Sequence, residues 1–360
     1  MIAIPTLPAG FTRELLTTLL RAHGCLPASG EVTTVAQSQI GAGTGMMAEL
    51  ARLTLTYSGD SGLAPKTLVA KFSSQNPTNR EISMSYNLYE RETRFFQEVA
   101  PNIQTTTPAV YFAGFKGDRF LILMQDLASH EVGSQVVGAD LEQTELAIDE
   151  LVKLHAPLLG KTDALTWVPT IYNSYHADNM VAFCEIGGPV TQEKFASVLA
   201  DEYVERFSEF SAALPTLQQF MNAGPTTLCH GDYRMENLLY ASGQGTREVV
   251  VIDWQGPLRA RGMNDVSLFL AQSTQTSVRR DHEHALIERY VKGLAAEGVA
   301  ASSVAEAFEE YRRSILYNWV YVTVVAGTLD TSDPTAYAWM AQMVERQSAA
   351  SDDLGVFQLL

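Results

Sequence analysis

The sequence predicts an α+β fold, with a small antiparallel β-sheet and one conspicuous helix in its first part and a larger, mainly helical remainder. Three observations predict it. Short runs rich in β-branched and alternating apolar residues, punctuated by glycine-containing turns, fill residues 31–127. Apolar residues at helical spacing dominate after Asp126. With 360 residues and 46% hydrophobic content, the chain can bury a core larger than that of a typical single domain. No Pro/Gly/Ser-rich linker marks the change of character, so two packed lobes, 1–126 and 127–360, are expected rather than tethered domains.

The elements follow in order. FTRELLTTLLRAHG (11–24) has helical spacing and ends at Gly24, a residue suited to closing a helix. EVTTVAQSQI (31–40) reads as a strand and ARLTLTY (51–57) as its hairpin partner across the glycine cluster GAGTG, because Leu53, Leu55 and Tyr57 alternate with Thr54 and Thr56. KTLVAKF (66–72) gives a third strand and residues 80–99 a helix. PAVYFAGF and FLILMQDL form a second hairpin around Lys116, Gly117 and Asp118. Helices are expected over 140–156, 191–213, 281–297 and 303–326, with a capping box of Ser303 and Glu306 on the last. Asp333 and Pro334 open a final helix, and REVVVIDWQ (247–255) restores a strand.

Composition excludes several partners. The net charge of −16 argues against a nucleic-acid backbone or an anionic membrane surface, both of which need clustered Lys and Arg. Three distant cysteines, Cys25, Cys184 and Cys229, supply neither a disulfide framework nor a metal-binding pair, so a reducing compartment, the cytoplasm, is expected. MIAIPTLPAG has no basic and apolar signal-peptide pattern. ILYNWVYVTVVAG (315–327) is too short to span a bilayer and reads as a buried helix.

The chemistry lies in three places. In IGAGTG, Gly41, Gly43 and Gly45 let backbone N–H groups approach a phosphate; set between two strands, the cluster fits a flap over a nucleotide, and taken alone a structural turn. Lys71, at the end of an apolar strand, reads either as a solvent-facing side chain or as a phosphate-holding lysine kept in place by an acidic residue on the next helix, Glu92 or alternatively Glu90. LCHGDYRMENLLY (228–240) packs Asp232, Arg234 and Asn237 between apolar ends, and Asp253 follows in VVVID. Two carboxylates and a carboxamide are hard oxygen ligands, suited to Mg²⁺ with a triphosphate and to orienting a hydroxyl.

HGDYRMENLLY and VIDWQ resemble the catalytic loop and metal-binding motif of the aminoglycoside phosphotransferase and choline kinase-like superfamily, whose fold is protein kinase-like. The match runs in order from the glycine loop through Lys71, Glu92 and LILMQDL to both motifs. The H-G-D-x-R-x-x-x-N form is similar to bacterial ecdysteroid kinase-like proteins and to kinase-like domains fused to acyl-CoA dehydrogenases. The resemblance implies a two-lobed kinase that transfers the γ-phosphate of ATP to a hydroxyl of a small organic acceptor with Mg²⁺. Asp232 would take the hydroxyl proton, and Arg234 would contact the transferred phosphoryl group. Asn237 and Asp253 would hold Mg²⁺, Lys71 the α- and β-phosphates, and the backbone of Met124, Gln125, Asp126 and Leu127 the adenine. His230 and Asp265 would brace the loop, and Glu236 would face solvent.

The departures matter as well. Trp254 and Gln255 follow Asp253 where protein kinases carry Phe-Gly, and no A-P-E segment occurs, which disfavours a protein acceptor. Acceptor specificity is expected from 161–225, where Trp167, Tyr172, Tyr175, His176, Asp178, Phe183 and Glu185 fit either a cage for an amine or core and rim. A hydroxylated, moderately apolar acceptor such as a steroid-like alcohol or hydroxyacyl thioester fits the motif. A cationic aminoglycoside or choline fits the charge. A catalytically dead nucleotide-binding protein would keep the fold, yet none of Lys71, Asp232, Asn237 and Asp253 is missing.

Overall fold

Why the alternating runs become strands and the 3.6-period runs become helices is visible in which faces they bury. The computed structural model describes residues 4–5, 10–41, 47–242, 248–300 and 302–360. They divide into two compact units: Met1–Asn102, Thr107–Ser129 and Asp253–Gln255 form one, and Ile103–Thr106, His130–Ile252 and Gly256–Leu360 the other.

In the first unit, α1 (Arg13–His23) starts where the Thr12 side chain accepts from the Leu15 N–H and stops at Gly24. Its Leu16, Leu19 and Leu20 are buried. Strands β1 (Glu31–Ile40), β2 (Ala48–Ser58) and β3 (Thr67–Ser73) follow. Strands β4 (Val110–Lys116) and β5 (Arg119–Gln125) complete an antiparallel sheet of order β1-β2-β3-β5-β4. Strand alternation sends Leu68, Ala70 and Phe72 of β3 into a core with Leu53, Leu55, Leu121 and Leu123, under α1. Lys71 therefore points the other way.

The single helix expected over 80–99 is not one helix. Asn76 caps α2 (Pro77–Ser85), and the chain breaks at Asn87, whose φ of 54° is left-handed. Then α3 (Leu88–Arg94) runs into a π-helical turn, Phe95–Val99. The apolar face read for this helix, Tyr89, Phe96 and Val99, lies wholly after the break, which is why the periodicity hid it.

The second unit begins with β6 (His130–Val132) and α4 (Leu141–His155), whose Asp140 and Gln143 form a capping box. The expected helix at 191–213 is two: α5 (Tyr175–Lys194) and α6 (Asp201–Asn222), separated at Phe195–Ala200. Pro189 and Pro215 lie inside these helices, so the prolines did not mark their ends. Strands β7 (Thr227–Cys229) and β8 (Leu238–Ala241) flank the HGDYRMEN segment. The strand expected over 247–255 is confined to β9 (Val249–Val251), and β10 (Leu258–Ala260) pairs with β7. Strand β8 lies between β6 and β9.

Helices α7 (Met263–Leu268), α8 (Thr276–Ala296), α9 (Val304–Thr328) and α10 (Pro334–Leu354) complete the unit. The Ser303–Glu306 capping box and the Asp333–Pro334 start are both present. The apolar run of α9 is core: Ile315, Leu316, Trp319, Val320 and Val322 are buried. Among the described residues no helix is long and apolar enough to cross a membrane. All three cysteines are free and buried.

Candidate active site

The first unit gathers a lysine and two carboxylates. Strand β3 directs Lys71 away from the leucine core, and α3 brings Glu92 to it. Lys71 Nζ lies 2.8 Å from Glu92 Oε1 and 2.7 Å from Asp253 Oδ1. Glu90 instead pairs with Arg94 at 3.3 Å, which settles the alternative left open by the sequence. Burial pulls the Lys71 ammonium toward neutrality, but attraction from Asp253 and Glu92 outweighs it and the group is held charged. Burial pushes the Glu92 carboxyl up to about 7, Lys71 pulls it back, and Asp253 adds to the rise. One ammonium cannot neutralise two carboxylates, and the more buried one carries the deficit.

Asp253 adopts φ 64°, an uncommon conformation for a residue with a Cβ, and such strain persists where the surroundings fix it. Here they do: its Oδ1 accepts from Lys71 and its Oδ2 from Gln255 at 3.4 Å, while Trp254 is fully buried. Of the connector, Met124 and Gln125 end β5, and the Gln125 N–H donates to the Ala109 carbonyl. The Asp126 carboxylate takes a two-pronged contact from Arg52 at 2.8 and 3.1 Å, and Leu127 is buried. Gly41 lies just past β1 with φ 64°. Gly43 and Gly45 lie outside the described residues.

The second unit builds a braced polar loop between β7 and β8. Buried Asp265, on α7, accepts from the His230 N–H at 2.6 Å and the Gly231 N–H at 3.1 Å. His230 donates from Nε2 to the Ile252 carbonyl at 2.9 Å, leaving Nδ1 to accept the Asp232 N–H at 3.3 Å. The loop thus rests on side chains rather than on a sheet. Gly231 has φ 80°, and a Cβ there would meet the Gly256 carbonyl oxygen at 2.2 Å, so only glycine fits. His155 extends the brace, with Nε2 3.3 Å from Asp265 and Nδ1 2.8 Å from the Tyr290 hydroxyl.

His155, Cys229 and Asp265 place ligand atoms within 4.8 Å of one another. Each already has a hydrogen-bonding task, Cys229 toward the Arg261 carbonyl at 3.4 Å, and burial raises the Cys229 thiol far above its ordinary value. That cluster is scaffold.

The turn above the brace holds Asp232 in a ring of donors. Its Oδ1 accepts from the Tyr321 hydroxyl at 2.5 Å and from Arg234 Nε at 3.2 Å, and its Oδ2 accepts from Asn237 Nδ2 at 3.0 Å. Asn237 Nδ2 also reaches the Asp232 carbonyl at 2.8 Å. Arg234 lies 4.8 Å over the Trp339 ring and pairs with Glu236, whose side chain stays 33% exposed, so the residue expected to face solvent is also an ion-pair partner. Tyr321 on α9 and Trp339 on α10 escaped the sequence reading. Tyr321 sits in an apolar run and is separated from Asp232 by 89 positions, so no spacing ties the two together.

The profile of the ecdysteroid kinase-like family matches residues 42–299 of the chain. The protein belongs to that family. Two solved structures share the fold of this ecdysteroid kinase-like protein across nearly its whole length. One is the GDP complex of wild-type aminoglycoside 2'-phosphotransferase-IIIa, with TM-score 0.53, 12% identity, and coverage of 95% of this chain and 99% of that one. The other is the GDP and kanamycin complex of APH(2")-IIia, with TM-score 0.54, 11% identity, and coverage of 94% and 98%. No curated protein matches the sequence. The fold is thereby protein kinase-like.

Each unit of this ecdysteroid kinase-like protein, taken by itself, offers an oxygen donor of the kind a hard divalent cation takes. Asn237 spends its amide nitrogen on Asp232, so its amide oxygen is the atom it offers a metal. Asp253 contributes a carboxylate in the first unit.

Proposed function

We propose that this ecdysteroid kinase-like protein is a Mg²⁺-dependent small-molecule kinase that transfers the γ-phosphate of ATP to an alcohol. The observation that carries the reading is the braced Asp232 with Arg234 and Asn237 fixed against its carboxylate. Asp232 accepts the proton of the acceptor hydroxyl as that oxygen attacks phosphorus. Arg234 offers guanidinium donors to charge spreading over the transferred group. Lys71, oriented by Glu92, holds the α- and β-phosphates, the glycine loop covers them, and the Met124–Leu127 connector meets the adenine. Asn237 and Asp253 would hold Mg²⁺, which would supply charge neutralisation at the phosphate oxygens.

The acceptor we favour is a hydroxylated, moderately apolar molecule, in keeping with the family's name and with the aromatic Tyr321 and Trp339 beside Asp232 and Arg234. Three buried free thiols support a reducing compartment, and we place the protein in the cytoplasm.

Thermal-shift titration with ATP and GTP, with and without Mg²⁺, tests the nucleotide site; saturation at about 100-fold over Kd should stabilise the protein by about 2.7 kcal/mol. Transfer of labelled γ-phosphate is then followed over pooled sterols, hydroxyacyl thioesters, aminoglycosides and amino alcohols. Asp232→Asn should lower transfer by about 100-fold or more and spare nucleotide binding. Full turnover by that variant would show that the base is another group.

A further inference from the structure

The hydroxyl of Tyr321 stands where a phosphoryl acceptor belongs. A proton donor to a general base must sit within hydrogen-bond reach of a carboxylate oxygen, and charge-assisted O–H···O⁻ contacts run about 2.5–2.7 Å. Tyr321 Oη lies 2.5 Å from Asp232 Oδ1. The same oxygen faces Arg234 Nε at 3.2 Å, and the other faces Asn237 at 3.0 Å. A carboxylate has roughly four lone-pair positions. Three are engaged here, and Tyr321 holds one of them with an alcohol-type O–H.

Other tyrosine hydroxyls of this unit have scaffold partners. Tyr233 donates to the Ala147 carbonyl, Tyr203 pairs with Thr323, and Tyr290 meets His155; all three rings are buried. Tyr321 differs. It is only half-buried, between buried Val320 and Val322 on α9, and its partner is the residue assigned as the base. Water could satisfy a half-buried hydroxyl, so burial does not compel this contact.

We infer that Tyr321 is an internal phosphoryl acceptor, modified by the protein itself when Mg-ATP is bound and no alcohol substrate competes for Asp232; the inference rests on the kinase reading above. In the step, the Tyr321 oxygen forms a bond to the γ-phosphorus and its proton passes to Asp232. The bond from that phosphorus to the β–γ bridging oxygen breaks, and ADP leaves. Arg234 stands beside the base to meet the charge on the moving group. An alcohol substrate takes the same lone pair of Asp232 and therefore suppresses the modification.

The test incubates the full chain with Mg-ATP and no acceptor, then maps phosphate by peptide mass spectrometry, with thermal shift recording nucleotide binding on the same sample. One phosphate on Tyr321 is expected, at a first-order rate independent of protein concentration, falling to background in Tyr321→Phe and by about 100-fold in Asp232→Asn. A second readout uses no nucleotide: with ¹³C-labelled tyrosine, the Cζ resonance assigned by Tyr321→Phe should shift in Asp232→Asn. Nucleotide binding with Tyr321 unmodified, phosphate only on another residue, or a rate proportional to protein concentration would each overturn the inference and leave the kinase reading standing. Absence of Mg-ATP and Mg-GTP binding would overturn both.

Discussion

Lys71→Met keeps the length of the side chain and removes its charge, and the consequence is set by which carboxylate can recover water. Glu92 is 2% exposed at its side chain and Asp253 28%, and each lies 2.7 Å from the Lys71 ammonium. Asp253 can be rehydrated. Glu92 cannot, so it either stays charged in a poorly polarisable site or takes up a proton. Either outcome leaves a buried carboxylate without its cation, and breaking a buried pair in this way costs about 3–5 kcal/mol. Glu92→Gln, by contrast, leaves Asp253 as counter-charge and an amide oxygen for the lysine, and should cost about 1–2 kcal/mol. Guanidinium unfolding followed by tryptophan fluorescence measures both, with the double variant less destabilised than the sum of the singles. A Glu92→Gln loss equal to or larger than the Lys71→Met loss would refute the claim that one lysine serves two carboxylates.

Two further outcomes follow from the same geometry. Gly231→Ala, with φ 80° and a Cβ 2.2 Å from the Gly256 oxygen, should displace the Asp232 turn, lowering the unfolding midpoint and phosphoryl transfer together; unchanged values of both would refute the steric account. Burial pushes the Cys184 thiol up to about 12 and raises those of Cys25 and Cys229, so a thiol-disulfide reagent at about pH 8 should react slowly with the native protein and with all three cysteines once unfolded. Rapid labelling of the native chain would contradict that burial.

What could be read from the sequence depended on whether the signal was local. The strands of the first unit, the capping box at Ser303 and the start at Pro334 are written in neighbouring residues, and each was found where expected. The break at Asn87 was not, because the apolar face read for this helix, Tyr89, Phe96 and Val99, lies wholly after it and left-handed asparagine leaves no pattern. Residues 161–225 drew attention as an acceptor region because they are rich in aromatics. Tyr321 and Trp339, which contact Asp232 and Arg234, come from α9 and α10, far along the chain. Packing brings them in, and packing over such separations has no sequence period.

The pairing of Trp254 with Asp253 shows how a departure in the motif can be absorbed by one helix. Trp254 is fully buried and stacks on Phe95 with ring centroids 3.8 Å apart and planes 6° from parallel. Phe95 follows Glu92 by three residues, a spacing that puts both on one helical face. That face therefore holds the Asp253 turn twice, through the indole stack and through the Glu92 carboxylate, which accepts the Trp254 backbone N–H and pairs with Lys71. Lys71 in turn closes on Asp253. A larger ring after the aspartate thus does not loosen the site. It ties the strained aspartate to the same element that holds Lys71, so a shift of α3 would move both at once.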